Sequence, residues 1–413
     1  MDRIIFTGTL NGTVTPPSSK SYAQRALAVS LLCRGESIIK NIELCDDTRS
    51  ARKMIEALGA EVSDIDSTTL KIKGGLDPVS SSLFVGESGL ATRLFTPIAS
   101  LCDIPILIDG EGSILTRPMT MMLEPLRQAG VSIRDNDGYL PLDVCGPLRG
   151  GEIHVDGSVS SQFITGLLLA LPMANVDSTI YVNQAVSLPY LDMTIETAKR
   201  FGVEILHKDY KEFYIAGKQS YTPTEFNVES DWSAASALLV GGAIAGKVTV
   251  NNISMLSKQA DRDICSALVK AGASVESDAN TLTVSRRELN AFEFDATQCP
   301  DLFPALAALA ASANGVTKIK GAERLIHKES NRAATLQAEY AKCGIKIDLE
   351  GDVMSITGGE IQSARVKSHN DHRIAMSMAV AALCSEERIV IEDSDAVTKS
   401  YPNFFEDLKS LRE

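Results

Sequence analysis

One arrangement of apolar and polar positions recurs along the chain: a helix-length stretch with apolar residues at 3.6-residue spacing, a glycine, then a short alternating run. It reads ARKMIEALGAEVSD, MMLEPLRQAGVSIRD, TIETAKRFGVEILHKD, DICSALVKAGASVESD and ATLQAEYAKCGIKIDLE. In the first copy Met54, Ile55 and Leu58 share one face, which predicts a helix buried on one side. Gly59 ends it, because the left-handed conformation after a helix costs a glycine no Cβ clash. Val62 and Ile65 begin the next strand, as do Val203 and Ile205 in the third copy, the latter pair alternating with polar neighbours.

The five glycines, Gly59, Gly130, Gly202, Gly272 and Gly344, are 70 to 72 residues apart, and FFEDLKSLRE at 404–413 reads as the helix of a sixth copy. Six units fill the 413 residues, more than a single core usually holds. The expectation is an α/β protein of two similar domains, each of three units with sheets around buried helices. A dinucleotide fold is disfavoured, because no GxGxxG follows the first strand. Residues 3–14 read as a strand ending at Pro16 and Pro17, and YTPT at 221–224 marks a second break. Residues 1–15 and 224–413 would then form one discontinuous domain, with 16–223 inserted in it.

Composition narrows the chemistry. The 40 Lys and Arg against 53 Asp and Glu give a net charge of −13, which repels nucleic acid and anionic membrane unless positive charge is gathered locally. Aromatic residues are only 5%, too few for base-stacking platforms. MDRIIFTGTLNGTVT lacks the apolar stretch of a signal peptide, and no apolar run approaches the ~20 residues that span a bilayer. A soluble, cytoplasmic protein is expected. Its eight cysteines contain no CxxC pair, which suits reduced, buried thiols. His369 and His372 are three apart without a third ligand nearby, so neither a metal nor a cofactor is expected.

Basic residues break the repeat at helix starts. In PPSSKSYAQR, Ser18 or Ser19 caps a helix whose first turns hold Lys20 and Arg25, which read equally as two solvated charges or, because cations are unfavourable there, as partners of a bound anion. In FVGESGLATRLF, Gly86, Ser88 and Gly89 make a compact turn opening a helix, with Arg93 one turn inside. Arg117 precedes a proline that can start the next helix, and Ser160, Ser161 and Gln162 offer neutral donors at another. The C-terminal half has Arg324, Lys328, Glu329 and Arg332 in GAERLIHKESNR, Arg373 in SHNDHRIAMS, where Asp371 reads as a cap, and Lys399 before the final helix. Asp301, in CPDLFPALAALAA, reads either as a helix cap or as a functional carboxylate. Glu329 reads either as a surface ion-pair partner or as an acid whose proton bound anions would retain.

Together PSSKSYAQR, SGLATR, LTRPM, SVSSQF, VSLPY, CPDLFP, HKESNR, NDHRIAMS and TKSYPNFFEDL, in this order, resemble the 5-enolpyruvylshikimate-3-phosphate synthase family over essentially the whole chain. The resemblance implies two domains, each of three βαβαββ units, with the active site in the interdomain cleft of a monomer. It implies transfer of the enolpyruvyl group of phosphoenolpyruvate to the 5-hydroxyl of shikimate 3-phosphate, through a tetrahedral intermediate, in chorismate and aromatic amino acid biosynthesis. By the same likeness, Ser160, Ser161 and Ser187 hold the shikimate phosphate. Lys20, Ser21, Arg25, Tyr190, Asp301, Arg324 and Lys328 face the rest of that substrate, and Gln162 lies between the two. Lys20, Gly89, Arg93, Arg117, Arg332, Arg373 and Lys399 surround phosphoenolpyruvate. Asp301 corresponds to the acceptor of the hydroxyl proton and Glu329 to the donor at the methylene carbon, with Lys20 sharing the acid-base work.

The chain departs from the family at Glu87, Leu90, Ser113, Arg324 and Asn331, where Asn, Thr, Arg, Asn and Asp are frequent. Glyphosate is implied as an inhibitor, Gly89 leaving space beside Lys20. The rival reading is the sister transferase acting on UDP-N-acetylglucosamine. That enzyme usually carries a catalytic Cys or Asp in a loop corresponding to Asp109–Arg117, whose centre here has neither.

Overall fold

The helices of the computed structural model, which describes residues 1–158 and 160–412, are of two kinds. Lys20–Leu32, Gly89–Ala99 and Gln162–Ala170 are buried nearly all round, as are Trp232–Ala245, Phe303–Ala311 and His372–Ala382. Their runs of Ala, Leu, Ile and Gly leave no polar stripe for water. Asp46–Ala57, Thr120–Gln128, Leu188–Arg200, Ile264–Ala271 and Arg332–Lys342 bury one face only. These are the five helices read from the periodicity, and all five glycines after them have positive φ, from +79° at Gly344 to +108° at Gly59. A Cβ at Gly59 would lie 2.2 Å from the Asp77 carbonyl oxygen, so the neighbouring chain as well as the backbone angle demands glycine there.

Each repeat runs strand, buried helix, strand, amphipathic helix, hairpin. In the contiguous copy at 82–145, Ser82–Phe84 and Ile106–Asp109 pair in parallel across their helix, and the hairpin Ser132–Asn136 with Tyr139–Cys145 adds antiparallel to the second strand. The copies at 151–215 and 293–357 have the same strand order. The other three repeats borrow strands from distant sequence. Glu225–Asn227 pairs with Gly35–Lys40, and Leu10–Val14 with Gly246–Asn251. The final repeat, Ala364–Lys367, His372–Ala382, Arg388–Glu392 and Phe404–Ser410, has no closing hairpin; Arg3–Phe6 joins its sheet antiparallel instead.

The chain divides into two compact units, one Ser18–Val228 and the other Met1–Pro17 with Glu229 onward. The pairing of Glu225–Asn227 keeps the segment after the YTPT break with the first unit. Among the described residues each unit has three sheets and three buried helices. Two local expectations are corrected. Residues 3–14 form two strands in different sheets, because the Thr7 and Gly8 amides turn aside to the carbonyls of Glu387 and Leu383. Val203 and Ile205 precede their strand, which starts at Leu206; the Gln219 side-chain amide bonds both the N–H and the carbonyl of Glu204, standing in for a ladder partner. All eight cysteines are unpaired. Among the described residues no helix is long and apolar enough to cross a membrane.

Candidate functional site

In the Ser18–Val228 unit the candidate cations stand at the starts of buried helices. Ser19 caps Lys20–Leu32, its hydroxyl accepting from the Tyr22 amide, while Ser18 Oγ accepts from Glu43 N–H. Lys20, at the first helical position, donates to Asp47 Oδ2 at 2.6 Å, and both side chains are largely buried. The sequence reading missed Asp47, whose carboxylate offsets the repulsion between Lys20 and the positive end of the helix. Arg25 is 1% exposed and bonds only neutral groups: Thr194 Oγ1 at 2.9 Å, Ser21 O at 2.8 Å, Thr165 Oγ1 at 3.3 Å and Tyr190 O at 3.1 Å. Burial lowers its pKa to about 10. A buried guanidinium among neutral oxygens is a fixed positive charge that an anion would compensate.

Ser88 caps Gly89–Ala99, and Gly86, at φ +60°, makes the turn before it. Arg93 donates to Gln162 Oε1 at 3.0 Å and Pro118 O at 3.2 Å, tying two helix starts together. A Cβ at Gly89 would lie 2.6 Å from the Arg117 guanidinium, so the space this glycine opens belongs to Arg117. Pro118 does not open the next helix, which begins at Thr120. The departures at Glu87 and Ser113 meet, Ser113 Oγ donating to Glu87 at 2.9 Å. Ser160 Oγ accepts from Gln162 N–H at 3.2 Å, and Ser161 takes the cap position with no side-chain bond. Val159 of the SVSSQF motif lies outside the described residues. Ser187 is buried and left-handed at φ +54°, a costly angle for a residue with a Cβ.

In the other unit the candidate residues interlock around Arg332. Its wholly buried guanidinium donates to Asp371 Oδ2 at 2.8 Å, Asp301 Oδ1 at 2.7 Å and Glu329 Oε2 at 2.5 Å. Burial disfavours its charge, yet Asp371, Glu329 and Asp301 hold its pKa well above the usual arginine value. Every nitrogen of Arg332, expected to touch phosphoenolpyruvate, is thus on a carboxylate. Asp301 is no cap; it sits in the short turn Pro300–Leu302 and also receives Lys328 at 3.2 Å and Arg373 at 3.5 Å. Burial alone would raise its pKa, but Lys328, Arg373 and Arg332 hold it well below the usual carboxylate range. Burial lowers the Lys328 pKa, opposed by Asp301.

Asp371 caps His372–Ala382 as read, accepting from Arg373 N–H at 3.0 Å, and additionally anchors Arg332. Arg324 donates to Thr297 O, and Lys399 is buried at the end of the turn Ser394–Lys399. His369 bonds Glu339 at 2.7 Å, away from the buried His372 ring. In one unit the buried Arg25 has only neutral partners and Lys20 is paired with Asp47; in the other, three carboxylates share the guanidinium of Arg332.

The family profile of EPSP synthase (3-phosphoshikimate 1-carboxyvinyltransferase) matches residues 6–408. The chain is 36% identical over 419 residues to the 3-phosphoshikimate 1-carboxyvinyltransferase of Clostridium novyi, covering 98% of this chain and 96% of the relative. It is 38% identical over 405 residues to that of Thermococcus kodakarensis, covering 98% of each. Its backbone matches the EPSP synthase structure from Acinetobacter baumannii with a TM-score of 0.85 at 25% identity, covering 100% of this chain and 98% of the other.

Proposed function

The chain belongs to the EPSP synthase family, and on that premise we propose that it transfers the enolpyruvyl group of phosphoenolpyruvate to the 5-hydroxyl of shikimate 3-phosphate, releasing phosphate. The reaction belongs to chorismate and aromatic amino acid biosynthesis. The observation that carries the residue roles is the pair of carboxylates, Asp301 and Glu329, bound to one guanidinium at 2.7 and 2.5 Å.

Addition requires a base at the attacking hydroxyl and an acid at C3 of phosphoenolpyruvate; elimination then removes a C3 proton and breaks the C–O bond to phosphate. Asp301 takes the hydroxyl proton and Glu329 delivers one to C3, with Lys20 assisting. Lys328, Arg373 and Arg332 together make Asp301 a weak base. Substrate anions that engage Lys328 and Arg373 withdraw that charge from it, raising its proton affinity once the substrates are in place. Ser160, Ser161 and Ser187 hold the shikimate phosphate, and Ser21, Arg25, Gln162, Tyr190, Arg324 and Lys328 orient its ring. Lys20, Gly89, Arg93, Arg117, Arg373 and Lys399 receive phosphoenolpyruvate and stabilise departing phosphate. Arg332 acts mainly by holding Asp301 and Glu329 apart and aligned. Eight unpaired cysteines support a reducing, cytoplasmic location.

Phosphate release should require both substrates together. Equal release from phosphoenolpyruvate alone, or only with UDP-N-acetylglucosamine, would sink the assignment. Glu329→Gln should lower kcat on the order of 10²- to 10⁴-fold while leaving shikimate 3-phosphate affinity nearly unchanged; an unchanged kcat removes Glu329 from the donor role.

A further inference from the structure

A second carboxyl group, unused by the mechanism above, lies within electrostatic range of Asp301. Asp261, in the short turn Ala260–Asp263, is 1% exposed. Its Oδ2 accepts from the Ser233 hydroxyl, and its Oδ1 has no hydrogen-bond partner among the described residues. Leaving an ionised oxygen buried and unpartnered is strongly unfavourable, whereas a neutral carboxyl needs fewer partners. Ser233 also lines a small, partly open cavity with Ser236, Asp301, Arg373 and Ser377, which has about 10 Å³ of room for a water's centre. That is near the space one water needs, and the walls supply polar partners for it.

The charged groups around Asp261 are Asp301, Arg373 and Asp231, with the Cys299 thiol also in range. Burial and the Asp301 charge push its carboxyl up to about 7, against Arg373 and the Ser233 hydrogen bond, which favour the anion.

We propose that Asp261 is a positioning residue for the transfer reaction, acting through Ser233 and the cavity to set the orientation and proton affinity of Asp301. The proposal rests on Asp301 being the group that takes the hydroxyl proton. While Asp261 is neutral, the cations dominate Asp301 and its proton affinity is low. When Asp261 ionises, losing its proton to solvent, a like charge appears beside Asp301 and makes it a stronger base. Arg373 feels both carboxylates, so its grip on Asp301 at 3.5 Å loosens as Asp261 competes for it.

The test is kcat at saturating substrates for the unaltered protein, Asp261→Asn and Ser233→Ala, from about pH 5.5 to about pH 8.5. The ratio of unaltered to D261N kcat should be near one at the acid end, where both side chains are neutral, and climb roughly three- to tenfold at the alkaline end. Ser233→Ala should blunt the same climb, and it carries the kinetic test alone if D261N does not fold. A ratio independent of pH, as a purely structural loss would give, overturns the proposal. If the unaltered protein released no phosphate, the functional reading would fall instead. The infrared spectrum of the substrate-free protein would then decide for Asp261. A protonated carboxyl lost between about pH 6 and about pH 8 is expected, and its absence overturns the proposal.

Discussion

Arg332→Met tests whether the carboxylates of the second unit depend on one cation. The substitution keeps an unbranched chain of similar bulk and removes the bonds to Asp371, Asp301 and Glu329 at 2.8, 2.7 and 2.5 Å. Asp301 retains Lys328 and Arg373. Asp371 is wholly buried and keeps the Ser330 hydroxyl and the Arg373 amide as its hydrogen-bond donors among the described residues. Breaking a buried pair by removing one partner costs about 3–5 kcal/mol, which for a unit of this size lowers the midpoint on the order of ten degrees. The sign of the pH dependence follows from Asp301. Its pKa is held below its unfolded value, so its stabilisation is present above that unfolded value and lost as pH falls through the folded one. In the variant Asp301 has lost one of its three cations and takes its proton at a higher pH than in the unaltered protein, so the deficit should be level near neutral pH and shrink as pH falls from about 5 to about 3. Trp232, the only tryptophan and buried in this unit, reports its unfolding by fluorescence in urea. A loss under about 1 kcal/mol, or one equal at both pH values, would refute the reasoning.

Gly89→Ala should raise the KM for phosphoenolpyruvate on the order of tenfold with little change in urea midpoint, because the new Cβ displaces the Arg117 guanidinium, the flexible end of a side chain; an unchanged KM would detach Arg117 from that substrate. Ser187→Gly should stabilise its unit by about 1 kcal/mol, relieving the left-handed angle, yet weaken shikimate 3-phosphate binding in calorimetry. Tighter binding would contradict the phosphate role of the hydroxyl. Asp261→Asn should be more stable than the unaltered protein at about pH 8 by a few kcal/mol and lose that advantage near pH 4. The reason is that a raised carboxyl pKa gives stability that is present at low pH and lost as pH rises through about 7. Urea midpoints that differ equally at both pH values would count against it.

The repeat was legible because its second helix is amphipathic and ends on a glycine whose backbone angle tolerates little else. Gly59 and Gly344 announce themselves by spacing alone. The borrowed strands were not, since nothing local in Leu10–Val14 says that its neighbour is Gly246–Asn251. Likewise the split of 3–14 depends on carbonyls at 383 and 387. Lys20 stood out as a cation placed against the helix dipole, Arg93 as one just inside a glycine turn and Arg117 as one before a proline. Their counterweights did not: Asp47 reads as an ordinary first-turn carboxylate, and Asp261 and Ser233 as polar residues at helix starts. Their meaning is a distance in space, 2.6 Å from Lys20 in the first case, and sequence spacing carries no trace of it.

The strand Arg3–Phe6, which stands in for the missing hairpin of the last repeat, imposes an order of events on synthesis. It leaves the ribosome long before its partner Arg388–Glu392. Leu10–Val14 likewise waits for Gly246–Asn251. The inserted unit has every strand it needs once residue 228 has emerged, so it can fold while the surrounding unit is unfinished. Pro17, whose carbonyl bonds the Asp231 amide, then closes the base of that insertion. During elongation the nascent chain trails two unpaired N-terminal strands beside a folded body, a state open to strand-seeking chaperones and to mispairing with neighbouring chains.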